Sequence, residues 1–284
     1  MKLKEMGKNA VTRTARNPIA WSFYSLCGRL SDSLGRVYGH ARFTREIGER
    51  DETLRKLARE VFPELTVAGG PFRGMQYPSG RSYASALLPK LLGSYESELH
   101  PVLEGMLANE YTAIVDIGCA EGYYAVGLGL RIAHAAIYAF DISPDARKLC
   151  GDMARLNGLE GRVHISGFCN EAALRSLSLG SKALIISDCE GYEGVLFTSG
   201  IAELLARHDI LVETHDFINI DISSNLRAIF GRTHQVRSIK STDDIEKAHT
   251  YRYPQLDAYD TRTRRLILGE RRPAIMEWLA MTPK

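Results

Sequence analysis

At 284 residues the chain is long enough for one large domain, or a domain with an appendage, built on a sizeable core. Its 45% hydrophobic and 25% charged residues match an ordinary soluble globular protein, and a formal charge of +2 does not mark the whole chain as a nucleic-acid binder. The five cysteines, Cys27, Cys119, Cys150, Cys169 and Cys189, include no C-x-x-C pair, which argues for reduced thiols rather than a disulfide framework or a zinc site.

Taken in chain order, residues 1–62 read as helical, basic and in places amphipathic. Residues 1–45 carry nine Lys/Arg against two acidic residues, Glu5 and Asp32. Such an end can touch phosphates or anionic lipid, and a solvated helical face accounts for it equally simply. The apolar-leaning stretch Pro18 to Leu30 is interrupted by Ser22, Ser25 and Arg29. It is too short to span a bilayer and lacks a signal-peptide cleavage context, so the expectation is a cytoplasmic protein. Gly and Pro over 65–80 predict a hairpin, and a helical segment follows from Ser85 to Leu107, broken near Gly93 and at Pro101.

Strands are then expected at 112–116, 136–141, 162–166, 182–188 and 209–214, alternating with helices at 121–133, 144–157, 171–177 and 199–207. This βαβ alternation predicts a parallel sheet covered by helices on both faces. Beyond 220 the reading gives a helix near 223–231, a strand near 234–239, a polar insertion at 241–262 and a final strand at 264–269. The expected organisation is a helical, basic extension over 1–108, with its hairpin-like segment, followed by an α/β domain over 109–284. That domain is read as a Rossmann-like, seven-stranded, mostly parallel sheet.

The stretch Ala113 to Tyr124, AIVDIGCAEGYY, carries the most information. A short apolar strand ends in Asp116, small residues Gly118, Ala120 and Gly122 form a turn, and a helix begins after Glu121. Such a turn brings a nucleotide-like ligand against bare backbone and a helix N-terminus. A dinucleotide fingerprint would need its third small residue at position 123, where Tyr123 stands, which argues against NAD and FAD. The spacing D-x-G-x-A-x-G resembles instead the first motif of class I S-adenosylmethionine (SAM) dependent methyltransferases. In that setting Asp116, Gly118, Cys119, Ala120, Glu121 and Gly122 are expected around the ligand.

The second strand ends in Asp141, where a carboxylate can accept hydrogen bonds from both ribose hydroxyls. Ser143 and Pro144 fit the cap and first turn of the next helix, and Ile142 is expected to pack on the adenine. After the third strand, Asn170 could hold the adenine amine or cap the following helix. The fourth strand ends in Asp188 and Glu190, and the fifth in Glu213 and His215; each pair projects to one side of its strand. Adjacent strand ends would gather all four around one crevice as an acid/base set, which could also suit a divalent metal.

Together DIGCAEGYY, AFDISPDA and DCEGYEGVLF resemble FkbM-type methyltransferases, over about residues 113–215. The resemblance implies a SAM site and methyl transfer to an oxygen of a small molecule or sugar, with Asp188 and Glu190 facing methionine and acceptor. Cys189 replaces a more usual aliphatic residue, and the first hundred residues are longer and more basic than a minimal domain needs. Tyr95 and Glu96, on the helix before the first strand, are expected at the methionine end, Glu96 as a partner for the ammonium. His215 is the preferred base because imidazole titrates near neutrality, with Asp188 or Glu190 second. Two alternatives stay open: an RNA or protein methyltransferase docking through the basic amino end, and a binding module that keeps the fold without turnover. The acceptor, the oligomeric state and the role of the 241–262 insertion are left open by the sequence.

Overall fold

In the computed structural model, which describes residues 52–83 and 85–284, seven strands form one sheet. They are β1 (Ala113–Ile117), β2 (Ala136–Phe140), β3 (Val163–Ser166), β4 (Ala183–Ser187), β5 (Asp209–Thr214), β6 (His234–Lys240) and β7 (Glu277–Pro283). Their order is β3-β2-β1-β4-β5-β7-β6. The pairs among β1 to β5 are parallel, whereas β7 runs antiparallel to both neighbours, β5 and β6. This is the expected Rossmann-like, mostly parallel, seven-stranded sheet.

Strands β1, β4 and β5 are buried along their whole length because helices cover both faces. Consecutive residues alternate between the two layers. Ile114, Leu184, Ile186 and Leu211 pack in one core cluster, and Ala113, Val115, Ile117, Ile185 and Val212 in the other. The direction of the chain reverses at β1, whose neighbours are β2 and β4, so the crevice between the carboxyl ends of β1 and β4 is the topological switch point.

The helices between strands fall close to their expected bounds, at Tyr123–Arg131, Pro144–Leu156, Glu171–Arg175 and Ser199–Leu204, with Ile222–Phe230 after β5. The segment after Ser85 divides into helices Leu87–Leu92 and His100–Met106. Gly93 ends the first at φ 81°, but Pro101 does not break the second: it occupies the first turn, where its missing N–H is harmless. The hairpin expected over 65–80 is reduced to a single antiparallel bridge, Thr66 to Gln76.

One expected strand is corrected. Residues 264–269 lie in and just past a helix, Thr261–Leu268, and the closing strand is β7. The run Leu266-Ile267-Leu268 is too short for periodicity to separate helix from strand. Asp260 decides it locally by accepting the Thr263 N–H at 2.8 Å, an N-cap. In β7, Trp278, Leu279, Ala280 and Met281 are all buried, since β7 is an inner strand. The 241–262 insertion holds the helix Asp244–Thr250, capped by Asp243, with Lys247 and Ala248 buried, so it is a packed element.

Chain contacts separate Met1–Thr53 from Leu54–Lys284 as two compact units. Residues 52–61 are helical as expected; the helical reading of 1–51 and its basic face lie outside the described residues. No helix among the described residues is long and apolar enough to cross a membrane.

Candidate active site

A cavity of about 550 Å³ opens at the switch point, within the range of small-molecule sites. The turn after β1 forms its floor. Gly118 has φ +86°, and a Cβ there would lie 1.7 Å from the Asp188 carbonyl oxygen, so only glycine lets the β1 and β4 loops meet. Ala120 follows at φ 47°, and Glu190 and Arg271, also on the cavity wall, adopt φ 52° and 60°. Side-chain-bearing residues in this left-handed region are held by their surroundings and cluster at functional sites.

Asp116, Gly118, Cys119, Ala120, Asp141 and Ile142 all line the cavity, as expected of a cofactor site. Asp116 is buried, accepts the Ala125 N–H at 2.8 Å and so ties β1 to the next helix; burial pushes its carboxyl up to about 7. Asp141 accepts the Ala120 N–H at 3.0 Å and the Ser143 N–H at 2.8 Å. Each carboxylate oxygen keeps a further lone pair for a ligand. Ser143 caps the next helix, which leaves Asp141 for the cavity. Ile142 and Phe168 are both on the wall and largely exposed, at 76% and 54%, offering apolar faces to a flat ring.

Four expected ligand contacts lie off the cavity wall. Asn170 accepts the Ala173 N–H at 2.9 Å, so of its two open roles it takes the helix cap, and Gly167, Phe168 and Cys169 face the cavity. Glu121 is buried in an ion pair with Lys90 at 2.6 Å and accepts from Ser82 and the Tyr83 N–H. It ties the 82–85 segment beside the cavity, which Tyr83, Ser85 and Lys90 line. Gly122 packs against Cys150. Glu96 is buried one layer back, holding Arg272 and Tyr124.

Tyr95 does line the cavity, in an edge-to-face cluster with Tyr123, Tyr124, Phe72 and Trp278, with centroids 5.0–6.0 Å apart. Tyr123, which blocks a dinucleotide fingerprint, is thus part of this aromatic wall.

Opposite lies the acid/base set, brought together as the strand ends predict: Asp188, Glu190, Glu213 and His215 all reach the cavity. The His215 Nε2 lies 3.4 Å from Asp188, 3.6 Å from Glu190 and 3.9 Å from Glu213. Its Nδ1 is 2.9 Å from Glu193, which is fully buried. Burial by itself would lower the His215 pKa, but the Glu193 hydrogen bond and charge, with Glu213 and Glu190, raise it above the ordinary value.

Sequence reading missed the cation that organises this wall. Arg272 contacts Glu96, Glu213 and Glu270, the last at 2.9 Å. Glu270 is held in turn by the fully buried Lys247 of the insertion's helix, and it accepts the Glu96 N–H at 2.9 Å. Desolvation pushes the Asp188 and Glu96 carboxyls up to about 7 and Glu213 to about 8, with neighbouring carboxylates adding to it. Burial would strip Arg272 of its proton, but Glu96 and Glu213 keep it charged.

Asp188, Glu213 and His215 can each offer one atom within 4.8 Å of the others, the spacing behind the divalent-metal alternative. Arg272 already holds Glu213 there, and a dication would face that guanidinium as a like charge. The set therefore does not suit a divalent cation. The thiols are not poised as nucleophiles either: burial raises the pKa of Cys119, Cys169 and Cys189.

These raised carboxyls predict a pH trend. Their folded pKa values lie above the unfolded ones, so their stabilising contribution is complete below about pH 4 and is lost as pH climbs through 7 to 8. Thermal midpoints of the ligand-free protein should fall between pH 6 and pH 9. A flat or rising profile would remove the argument.

No family model matches the chain. A curated relative, the release factor glutamine methyltransferase of Deinococcus radiodurans, is 35% identical over 107 residues, 38% of this chain and 36% of its own. The chain thus spans about a third of the length of that relative. Among solved structures, a precorrin-6y C5,15-methyltransferase from Geobacter metallireducens superposes with a TM-score of 0.43 and 11% identity, covering 65% of this chain and 88% of its own. A precorrin 8w decarboxylase from Methanobacterium thermoautotrophicum gives 0.42 and 18%, covering 64% and 88%.

Proposed function

We propose that the chain is a SAM-dependent methyltransferase that methylates a hydroxyl of a small molecule or sugar, in keeping with the FkbM-like motifs. The observation that carries this is the charge and shape of the cavity. Asp116, Asp141, Asp188, Glu190, Glu213 and Glu270 line it against Lys90, Arg271 and Arg272, an excess of carboxylates suited to a ligand bearing sulfonium and ammonium charges. Asp141 would hold the ribose, Ile142 and Phe168 the adenine, and the Gly118–Ala120 backbone and Tyr95 the rest.

When bound, SAM supplies an activated methyl group on a cationic sulfur. The chain's residues then have two tasks, to orient the acceptor oxygen and to take its proton. His215 is placed for the second task, with Nε2 facing the cavity and Nδ1 engaged elsewhere. The name of the curated relative favours a second reading, a protein glutamine as acceptor, which needs no hydroxyl-directed base.

Calorimetric titration with SAM and S-adenosylhomocysteine tests the cofactor site. Micromolar binding is expected, weakened about a hundredfold by Asp141→Ala, the scale of one or two charge-assisted hydrogen bonds. A folded protein that binds neither ligand would overturn the enzyme reading.

A further inference from the structure

We propose that Glu193 is the positioning residue of this site: it fixes the His215 ring with the proton on Nδ1 and turns a bare Nε2 to the cavity as the base. The inference rests on the methyltransferase reading for the identity of the reaction, but its geometry stands alone.

Glu193 opens the short helix Glu193–Leu196, and its side chain is fully buried. A carboxylate taken wholly out of water must be compensated by donors. Here one oxygen accepts the backbone N–H of His215 at 2.9 Å and faces Nδ1 at 2.9 Å. The other accepts the Gly191 N–H at 2.9 Å and the Cys189 thiol at 3.4 Å. An anion so held can only accept, so Nδ1 must donate, and the neutral ring carries its lone pair on Nε2.

The other charged groups around the ring do not compete for this role. Asp188 at the end of β4, Glu190 in the loop beyond it and Glu213 on β5 all lie on the Nε2 side, and the nearest is 3.4 Å away. Arg272 stands behind Glu213, and the Phe217 ring centroid is 5.8 Å from the imidazole. The step asked of the pair is a proton transfer: the acceptor O–H bond breaks, the proton bonds to Nε2, and the electron pair stays on oxygen. The imidazolium so formed faces the Glu193 carboxylate, which needs no rearrangement to balance it.

The test is nitrogen-15 histidine NMR on the full chain without ligand. The unmodified protein should show neutral His215 as the Nδ1–H tautomer, titrating above the ordinary histidine range. Glu193→Gln should lower that titration by about one unit or more, the scale of a lost charge-assisted bond. Glu193→Asp, which keeps the charge, should recover part of the loss. A carboxylate present only to satisfy the two backbone N–H groups would leave tautomer and titration unmoved. An Nε2–H tautomer in the unmodified protein, or an unchanged titration in a folded Glu193→Gln variant, overturns the proposal. The tautomer reading needs no variant, so it decides even where Glu193→Gln fails to fold. Failure of the underlying methyltransferase reading shows separately, as absence of SAM binding in calorimetry.

Discussion

Arg272→Gln should lower the unfolding free energy by about 3–5 kcal/mol, the range for removing one partner from a buried ionic cluster. For a unit of this size that corresponds to a fall of roughly 6–20 °C in the thermal midpoint. The guanidinium is 13% exposed and spans three carboxylates that come from distant parts of the chain, Glu96, Glu213 and Glu270. Glutamine offers one short donor group in place of five fixed N–H donors. The lost stability should depend on pH. Glu96 and Glu213 can take up protons near 7 and 8, so the variant should suffer less at pH 6 than at pH 8.5. Arg272→Lys should fall between, because one ammonium cannot reach three carboxylates at once. Differential scanning calorimetry across that pH range reads both effects. A midpoint unchanged at pH 8.5 would show that the cluster does not depend on Arg272.

His215→Ala should reduce methyl transfer by about 10²–10⁴-fold, the usual contribution of a positioned general base, and leave the SAM dissociation constant within about twofold. The measurement is the release of S-adenosylhomocysteine with an acceptor chosen from a panel of phenols and sugars. The separation of the two effects follows from the layout. The Asp141 side of the cavity is built from the β1 and β2 loops, whereas His215 stands beyond β5, against Glu193. A variant with the normal rate and normal SAM affinity would remove His215 from the chemistry, leaving Asp188 and Glu190 as the bases to test.

The parts of this site that sequence reading found are those fixed by local pattern. Asp188, Glu190, Glu213 and His215 end two strands that parallel βαβ logic makes neighbours, and β4 and β5 do pair. Asp141 was legible because Ser143 and Pro144 already satisfy the next helix. Arg272 was not, since it lies 176 positions from Glu96 and its loop follows a helix that reads locally as a strand. Glu193 sits inside the quoted D-x-E-G-x-E stretch, but its role depends on where a four-residue helix begins, which no periodicity announces. Glu96, Glu121 and Asn170 have the right chemistry in the right region. Each is engaged by a buried cation or a helix end that only the folded arrangement reveals.

The placement of β7 between β5 and β6 has a consequence for biosynthesis. A nascent chain that has reached β6 cannot complete the sheet, because the slot beside β5 belongs to a strand not yet made. The segment that leads into β7 also carries Arg272, so Glu96 and Glu213 emerge from the ribosome well before their counter-ion. Until then they can stay buried only by binding protons, or remain in water. Sheet closure and charge neutralisation of the cavity are therefore one late event, and a ribosome stalled before residue 272 would hold a chain with β1 to β5 in hand and no assembled site.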